Sequence, residues 1–292
     1  MWIPFLLVTG VLAVSVSAPL IAAMTVPPLS IAFWRNGLAT VALTPTAVTS
    51  RRRELGALGR RELGVLVLSG LALAVHFGTW VTSLTLTSVA ASTSLVCLQI
   101  AWVVAWQLVR GQRFPRRVMI GLTAAFAGAI VVSGVDLSLS SRALVGDVLA
   151  LVGGIAAAAY MLIGAHARRT VSTASYTFVC YGSCALVLLV ACVVSGQDVV
   201  GFPAKQWLLL VLLTVTAQLL GHSVFNHLLA TTGPVVVSMA LLLEVPGASL
   251  IAAGFLGQRP PIGTVVGLAV ILLGMMLVVI GNLSTAPSAP VD

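Results

Sequence analysis

The sequence predicts an all-α polytopic membrane protein whose ten transmembrane helices form two inverted five-helix repeats. Three observations predict this fold class. Hydrophobic residues make up 59% of the 292-residue chain and charged residues only 8%, whereas a soluble domain carries about 25% charged residues. Apolar runs of helix length recur along the whole chain, and one pattern of residues repeats after half its length.

The apolar runs define ten spans. About 20 residues at 1.5 Å per residue cross a hydrocarbon core of about 30 Å. Short connections between the runs make neighbouring helices antiparallel and leave no stretch for a soluble domain. The predicted spans are 3–24, 28–48, 63–86, 89–109, 117–136, 147–166, 174–195, 206–229, 235–256 and 262–282.

The spans divide the chain into two units and a tail. Residues 1–137 contain the first five spans and residues 147–283 the second five. The first span lacks the basic n-region of a secretory signal and is followed by many others, which predicts a retained helix. The polar C-terminal residues 284–292 predict a short disordered tail.

The net charge of +8 has a topological interpretation. Only Arg142, Lys205 and Arg259 fall on one predicted side of the membrane, against eleven arginines on the other. This bias predicts a multi-pass protein of the bacterial cytoplasmic membrane with both termini in the cytoplasm. A nucleic-acid surface would interleave aromatic residues with the basic ones, so no nucleic-acid partner is predicted. The eleven are Arg51, Arg52, Arg53, Arg60, Arg61, Arg110, Arg113, Arg116, Arg117, Arg168 and Arg169.

A repeat at an offset of 146 residues relates the two units. Because each unit has an odd number of spans, the second enters the membrane from the opposite side, which makes the repeat an inverted one. Inverted repeats can build one gate on each side of a central site, so the pattern favours a transporter over a scaffold. The matching pairs are Gly111/Gly257, Gln112/Gln258, Arg113/Arg259, Pro115/Pro261, Gly121/Gly267, Gly128/Gly274 and His76/His222.

The glycines of the repeat predict helix packing rather than chemistry. Gly121 and Gly128 lie seven residues apart, as do Gly267 and Gly274. This spacing keeps each pair on one helix face, where small residues allow two helices to approach closely.

Two charged residues lie well inside predicted spans, where an ionised group is costly and usually faces the bundle interior. Glu244 is a candidate partner for a substrate ammonium group or a protonatable site; alternatively, it is a neutral acid hydrogen-bonded to another helix. Arg35 is a candidate partner for a substrate carboxylate. It could equally snorkel outward or pair with Asp147.

Two polar stripes add further candidates for a substrate site. Gln218, His222 and Asn226 follow one another at intervals of four in span eight, and His76 and Trp80 lie four apart in span three. The two histidines are repeat mates, so a two-fold axis would bring both stripes to one cavity. The alternative for each is an ordinary hydrogen bond between helices, and proton relay is a narrower option.

Gln99 and Tyr160 complete the substrate-binding candidates, with interhelical hydrogen bonding as the alternative for each. No cofactor and no metal is predicted. All four cysteines fall inside spans, where they behave as small apolar residues. Cys180 and Cys184 lie one helical turn apart, but no third metal ligand is near them in sequence.

Three stretches of the chain resemble a known family. They are "PPLSIAFWRNGLA", "GDVLALVGGIAAAAYMLIGAHARR" and "LLLEVPGASLIAAGFLGQRPPIGTVVGLAVILLGMMLVV". Together with the two five-helix halves they resemble the EamA branch of the drug/metabolite transporter superfamily over essentially the whole chain. The resemblance implies a ten-helix bundle with a central cavity and export or uptake of small metabolites, amino acids and their relatives among them.

The chain departs from that family at two places. Gln112 and Gln258 stand where members often carry glutamate, and "CLQIAW" in span four lacks the proline that many members have there. Any role of those glutamates in gating or coupling therefore does not carry over to this chain.

The predicted function is that of a secondary transporter or facilitator. Its predicted substrates are small metabolites (amino acids, amines or related amphipathic compounds), carried by alternating access, with export as the expected direction. Proton coupling is permitted by Glu244 and the two histidines, and the oligomeric state stays open. The alternative is an intramembrane enzyme acting on a lipid-linked or small polar substrate. The chain lacks G-x-x-x-x-G-K-[ST], G-x-S-x-G and H-E-x-x-H, the motifs of an ATP-driven pump, a serine hydrolase and a zinc protease.

Overall fold

The computed structural model describes residues 2–283, without the side chains of 132–139, 275, 278, 279 and 281–283. The predicted tail, 284–292, lies outside the described residues. Every regular element between residues 2 and 283 is helical. The helices are α1 (Trp2–Ser15), α2 (Ser17–Ala22), α3 (Pro28–Thr49), α4 (Arg52–Ala57), α5 (Arg60–Ser83), α6 (Val89–Val96), α7 (Gln99–Val109), α8 (Arg116–Leu139), α9 (Ser141–Ala167), α10 (Thr173–Ser195), α11 (Ala204–Leu213), a π-helical segment (Thr214–His222), α12 (Ser223–Leu228), α13 (Gly233–Leu241), α14 (Glu244–Leu256) and α15 (Ile262–Leu283).

Seven helical stretches are long and apolar enough to cross a membrane by length and composition. The chain is therefore a multi-pass membrane protein. Three further helices of 22 to 24 residues, α3, α8 and α15, pack in the same bundle. The seven stretches are Trp2–Ala22, Arg60–Ser83, Val89–Val109, Ser141–Ala167, Thr173–Ser195, Ala204–Leu228 and Gly233–Leu256.

The sixth predicted span starts earlier than the apolar pattern indicated. The sequence placed its beginning at residue 147, whereas α9 begins at Ser141. The Ser140 hydroxyl accepts hydrogen bonds from the backbone N–H groups of Arg142 (3.1 Å) and Ala143 (3.4 Å). Because this N-cap satisfies donors at the helix start, the helix extends ahead of the apolar run and includes the polar Arg142.

Contacts between loops define the two ends of the bundle. At one end, Glu54 accepts hydrogen bonds from the Ser172 N–H and hydroxyl, both at 2.6 Å. At the other end, the Gln197 side chain accepts from the Leu29 N–H at 3.0 Å. We call the first end, with the loops 50–59, 110–115 and 168–172, the arginine-rich face, and the second the opposite face.

Two long helices approach each other through glycine. A Cβ atom placed on Gly128 of α8 would lie 2.7 Å from the carbonyl oxygen of Gly267 in α15, and one on Gly274 would lie 2.5 Å from that of Gly121. Rising numbers on α8 meet falling numbers on α15, so the two helices are antiparallel. The predicted role of these glycines in close helix packing is confirmed, because no larger residue fits at Gly128 or Gly274.

Two of the helical stretches are interrupted near their middle. The stretch Val89–Val109 breaks at Cys97–Leu98, and Gly233–Leu256 breaks at Leu242–Leu243. At both breaks the backbone switches to tighter bonds between residues three apart, such as Leu98 N–H to the Leu95 carbonyl at 3.2 Å. The Cys97 thiol donates to the Leu241 carbonyl at 3.6 Å, so the two interrupted helices touch at their breaks. The sequence predicted both as continuous spans.

Candidate functional site

A small cavity lies where the two interrupted helices, α5, α9, the π-helical segment and α12 meet. Its free space is about 40 Å³, which is room for about three water molecules. The walls of the cavity include seven of the nine predicted site residues: His76, Trp80, Gln99, Tyr160, His222, Asn226 and Glu244. The rest of the wall is mostly apolar and includes Val14, Val96, Met161 and Phe225.

Glu244 is the acidic side chain that lines this cavity. It is the first residue of α14, directly after the break at Leu242–Leu243, so the interruption brings the carboxylate to the cavity wall. The side chain keeps 8% of its surface exposed. Within the described residues its carboxylate accepts no hydrogen bond and forms no ion pair within 4.0 Å with Arg35. A carboxylate placed in this way can bind a cation that enters the cavity.

The two repeat-mate histidines lie together on the cavity wall. Their ring centroids are 6.3 Å apart, and the His76 ring stacks on Trp80 at 5.7 Å with an interplanar angle of 7°. The His76 Nδ1 lies 3.0 Å from the Gly153 carbonyl oxygen. A carbonyl only accepts, so Nδ1 carries a proton and Nε2 is the acceptor of the neutral ring. Both His76 and His222 line the cavity, so the prediction that the two polar stripes reach one cavity is confirmed for these two residues.

A chain of hydrogen bonds leads away from the cavity through Asn226. The Tyr160 hydroxyl donates to Asn226 Oδ1 at 2.7 Å, and Asn226 Nδ2 donates to the Tyr181 hydroxyl at 3.2 Å. Tyr181 lies 3.1 Å from the Ser223 hydroxyl, which donates to the Gln218 carbonyl at 3.2 Å. In a π-helix each carbonyl pairs with the residue five positions later, so the Gln218 carbonyl faces Ser223 and the Ser223 hydroxyl can reach it. The chain fixes the orientation of the two cavity-lining groups, Tyr160 and Asn226.

Arg35 and Gln218 lie beside the cavity without lining it. Arg35 is fully buried; its Nε donates to Gln218 Oε1 at 2.9 Å and its Nη1 to Ser17 Oγ at 3.4 Å. Its guanidinium carbon lies 3.9 Å from the centre of the Phe77 ring, a cation–π contact. The interpretation as a snorkelling arginine is wrong, because these contacts hold the side chain inside the bundle. Arg35 reaches the cavity only through Ser17, which does line it.

Comparison with known proteins places this geometry in a family. The model of the EamA-like transporter family matches residues 1–134 and again residues 144–280. The chain belongs to the EamA-like transporter family. The resemblance to the EamA branch of the drug/metabolite transporter superfamily is thereby confirmed, and the chain is a membrane transporter.

Individual relatives of this EamA-like transporter agree in length and fold. An uncharacterized transporter of Archaeoglobus fulgidus is 25% identical over 86% of this chain and 87% of its own length. An uncharacterized transporter of Clostridium kluyveri is 24% identical over 82% of this chain and 79% of its own length. A solved crystal structure of a protein superposes with a TM-score of 0.69 at 14% identity, covering 97% of this chain and 98% of that one, so the two share a fold.

The ends of the two interrupted helices differ in this EamA-like transporter. At the opposite face, Gln258 Oε1 accepts a hydrogen bond from the Val89 N–H at 3.1 Å, where α6 begins. Its repeat mate Gln112, at the arginine-rich face, is exposed, and its side chain makes no hydrogen bond within residues 2–283. All eight residues of α6 are buried, whereas only four of the nine in α13 are. The half-helix α6 is thus more deeply buried than its predicted counterpart α13.

Sequence reasoning missed several residues of the site. Tyr181 and Ser223 belong to the hydrogen-bond chain, and Ser17 and Cys97 line the cavity. Each is a small or aromatic residue in an apolar stretch, which gives no signal without the position of the neighbouring helices.

Proposed function

We propose that this EamA-like transporter is a secondary transporter or facilitator of small amphipathic metabolites, working by alternating access between two inverted five-helix halves. One observation carries the proposal: two predicted repeat mates, spans four and nine, are both interrupted at the same cavity, and Glu244 lies at one interruption. Interrupted helices near the midplane are how many secondary transporters form a substrate site.

The α8–α15 contact supports the inverted arrangement. Gly128 opposes Gly267, and the repeat offset converts this pair into Gly274 opposing Gly121, which is the second close contact. A contact that maps onto itself when the halves are exchanged is the mark of a two-fold axis. Because the helices are antiparallel, that axis lies across them, in the plane of the membrane. We infer from this contact that α8 and α15 also span the membrane. We infer the same for α3, which has 22 residues and packs against α10 and α5, giving ten spans.

The asymmetry between the two faces supports alternating access. In this proposal, the Gln258–Val89 bond and the buried α6 belong to the gate of the opposite face. The matching positions at the arginine-rich face, Gln112 and α13, are more open. In this proposal, one gate is closed and the symmetry-related gate is more open, which corresponds to one state of the transport cycle. Exchanging the arrangements of the two gates produces the second state, with the cavity facing the other side. The 40 Å³ cavity must widen when a metabolite binds.

The cavity wall favours amines among the predicted substrates. Glu244 supplies a negative partner for an ammonium group, and Trp80 and Tyr160 supply aromatic surface for an apolar body. Arg35, the predicted carboxylate partner, is held behind Ser17. Amino acids therefore require a movement of Arg35 that simple amines do not. Glu244 and the paired histidines permit coupling to protons.

The arginine bias supports cytoplasmic termini in a bacterial cytoplasmic membrane, which makes the arginine-rich face the cytoplasmic one. We propose export as the direction. We also infer that the chain catalyses no reaction; the family match and the transporter-named relatives support this over an intramembrane enzyme.

Flux through purified protein in liposomes tests the proposal. Labelled aromatic amines and amino acids are followed with and without an inward pH gradient, in wild type, Glu244→Gln and Asp198→Asn. Asp198 is exposed in the loop after α10, so its variant removes an acid far from the cavity. We expect amine flux that Glu244→Gln lowers at least about tenfold, by loss of a charge-assisted contact, while Asp198→Asn matches wild type. Equal flux in all three proteins would remove Glu244 from the site.

A further inference from the structure

A groove separate from the central cavity lies at the arginine-rich face, between the start of α5 and the end of α9. It has a volume of about 320 Å³. Its walls include Arg61 from α5 together with His166 and Arg169 from the end of α9 and the following loop, and its floor includes Leu66 and Val171. Basic walls and an apolar floor together suit an amphipathic anion.

The cations of this groove have no protein partners. The side chains of Arg61, His166 and Arg169 are exposed and make no hydrogen bond or ion pair within the described residues. Other arginines of the same face differ: Arg168 donates to the Asn226 carbonyl at 3.2 Å, and Arg51 lies 3.8 Å from Glu54. The groove therefore gathers positive charge that the fold itself does not use.

One carboxylate also lines the groove and opposes an anion. Glu62 Oε2 accepts a hydrogen bond from the Gly59 N–H at 2.9 Å, where Gly59 is the N-cap residue of α5. This contact holds the Glu62 carboxylate toward the helix terminus. With Arg61 and Arg169 positive and Glu62 negative, the groove remains net positive even with a neutral His166.

An apolar strip leads from the groove toward the middle of the membrane. Val65, Leu68, Ala72 and Val75 follow Arg61 on one face of α5 at the helical spacing of three and four residues. Leu68 is 51% exposed and Val75 is 43% exposed. A free phosphate ion would not contact this apolar strip, whereas the acyl chain of a lipid would lie along it.

We propose that this groove binds the phosphate headgroup of an anionic phospholipid, with an acyl chain along the α5 strip. Arg61 and Arg169 contact the phosphate, and the lipid bridges α5 and α9. Basic pockets between helices on the cytoplasmic side are the usual place for such headgroups. The proposal concerns binding alone and stands whether or not the central cavity carries amines.

Lipid binding by the full-length protein in neutral detergent tests the groove. Fluorescent phosphatidylglycerol and phosphatidylcholine are titrated into wild type, the groove variant Arg61→Gln/Arg169→Gln, and the control variant Arg113→Gln/Arg117→Gln. Both pairs are exposed arginines of the same face, so the net charge change is identical. We expect wild type to prefer phosphatidylglycerol, the groove variant to bind it about thirtyfold more weakly, and the control to stay within about twofold.

Three results would overturn the proposal. Equal losses in the two variants would mean that the whole basic face attracts anionic lipid without a site. Equal binding of phosphatidylglycerol and phosphatidylcholine would remove the role of the charge. Displacement of the lipid by inorganic phosphate at similar concentration would assign the groove to a free anion. Native mass spectrometry of copurified lipid provides a second measurement: wild type and control should retain phosphatidylglycerol, and the groove variant should lose it.

Discussion

Alanine substitutions at the α8–α15 contact measure how closely these helices must approach. The new Cβ of Gly128→Ala would lie 2.7 Å from the Gly267 carbonyl oxygen and 2.8 Å from the Ile271 backbone nitrogen. Backbone atoms cannot rotate away, so the helices must separate. Overpacking of this kind costs about 1–3 kcal/mol, and alanine returns about 0.5–1 kcal/mol through its helix propensity.

We therefore expect Gly128→Ala to lower the free energy of unfolding by up to about 2.5 kcal/mol. Gly274→Ala should cost at least as much, because its Cβ would lie 2.5 Å from the Gly121 carbonyl oxygen. The matched control is Gly254→Ala in α14, where no atom lies within 4 Å of the new Cβ; this variant should be neutral or stabilised by up to about 1 kcal/mol.

The assay is thermal unfolding in detergent, in which these losses correspond to falls of about 1–8 °C in Tm. The double variant adds a second test. Once one alanine has separated the helices, the second costs less, so the two losses should sum to more than the loss in the double variant. If Gly128→Ala and Gly274→Ala were as stable as Gly254→Ala, the close antiparallel contact would be refuted.

Three further predictions address the two faces and the cavity. Gln258→Ala removes the hydrogen bond to the Val89 N–H, which stabilises the start of α6 by about 1 kcal/mol. In a protein whose only cysteine is Cys97, this loss should raise the rate at which a thiol reagent added at the opposite face labels Cys97 about fivefold. Gln112→Ala should leave that rate unchanged. Burial raises the pKa of the Glu54 carboxyl, but hydrogen bonds from Ser172 outweigh it and leave the pKa below its usual value. The stability that Glu54 contributes is then full above its unfolded pKa and lost as the pH falls through its folded one, so Glu54→Gln should reduce Tm at neutral pH and lose that effect in acid. Tyr160→Phe leaves Asn226 Oδ1 without its donor and should cost about 1–3 kcal/mol in chemical denaturation; an unchanged stability would mean that the bond is dispensable.

The sequence could predict which residues meet at the cavity better than how the backbone brings them there. His76 and His222 share an offset of 146 residues, and a repeat constrains positions across the whole chain. The seven-residue spacing of the repeat glycines predicted close helix packing, which the contacts of Gly128 and Gly274 confirm. Both expectations came from regular spacings in the sequence, and a spacing can indicate which residues share a helix face or a cavity.

The interruptions could not be predicted in the same way. Hydropathy reports the length of an apolar run and not its continuity, so Val89–Val109 read as one span. Pro246 hints at the break beside Glu244, since it lacks a backbone donor. Cys97–Leu98 has no proline or glycine, and its break depends on packing against the neighbouring interrupted helix. Arg35 shows a similar limit, because its partners Gln218 and Ser17 lie on other helices.

In the proposed alternating-access mechanism, chemical differences between predicted repeat helices would give the two faces different responses. Side chains next to each helix of this packed pair, α3 and α10, bond the amino end of the other. Gln197, in the loop after α10, accepts from the Leu29 N–H of α3, and Glu54, in α4 after α3, accepts from the Ser172 N–H ahead of α10. The first cap is a neutral amide and the second a carboxylate, so only the second responds to protonation and to salt. The contact at the arginine-rich face is therefore adjustable in a way that its counterpart is not. In the proposed mechanism, identical gates would give no built-in preference between two states, and a difference such as Glu54 against Gln197 would supply one without changing the fold.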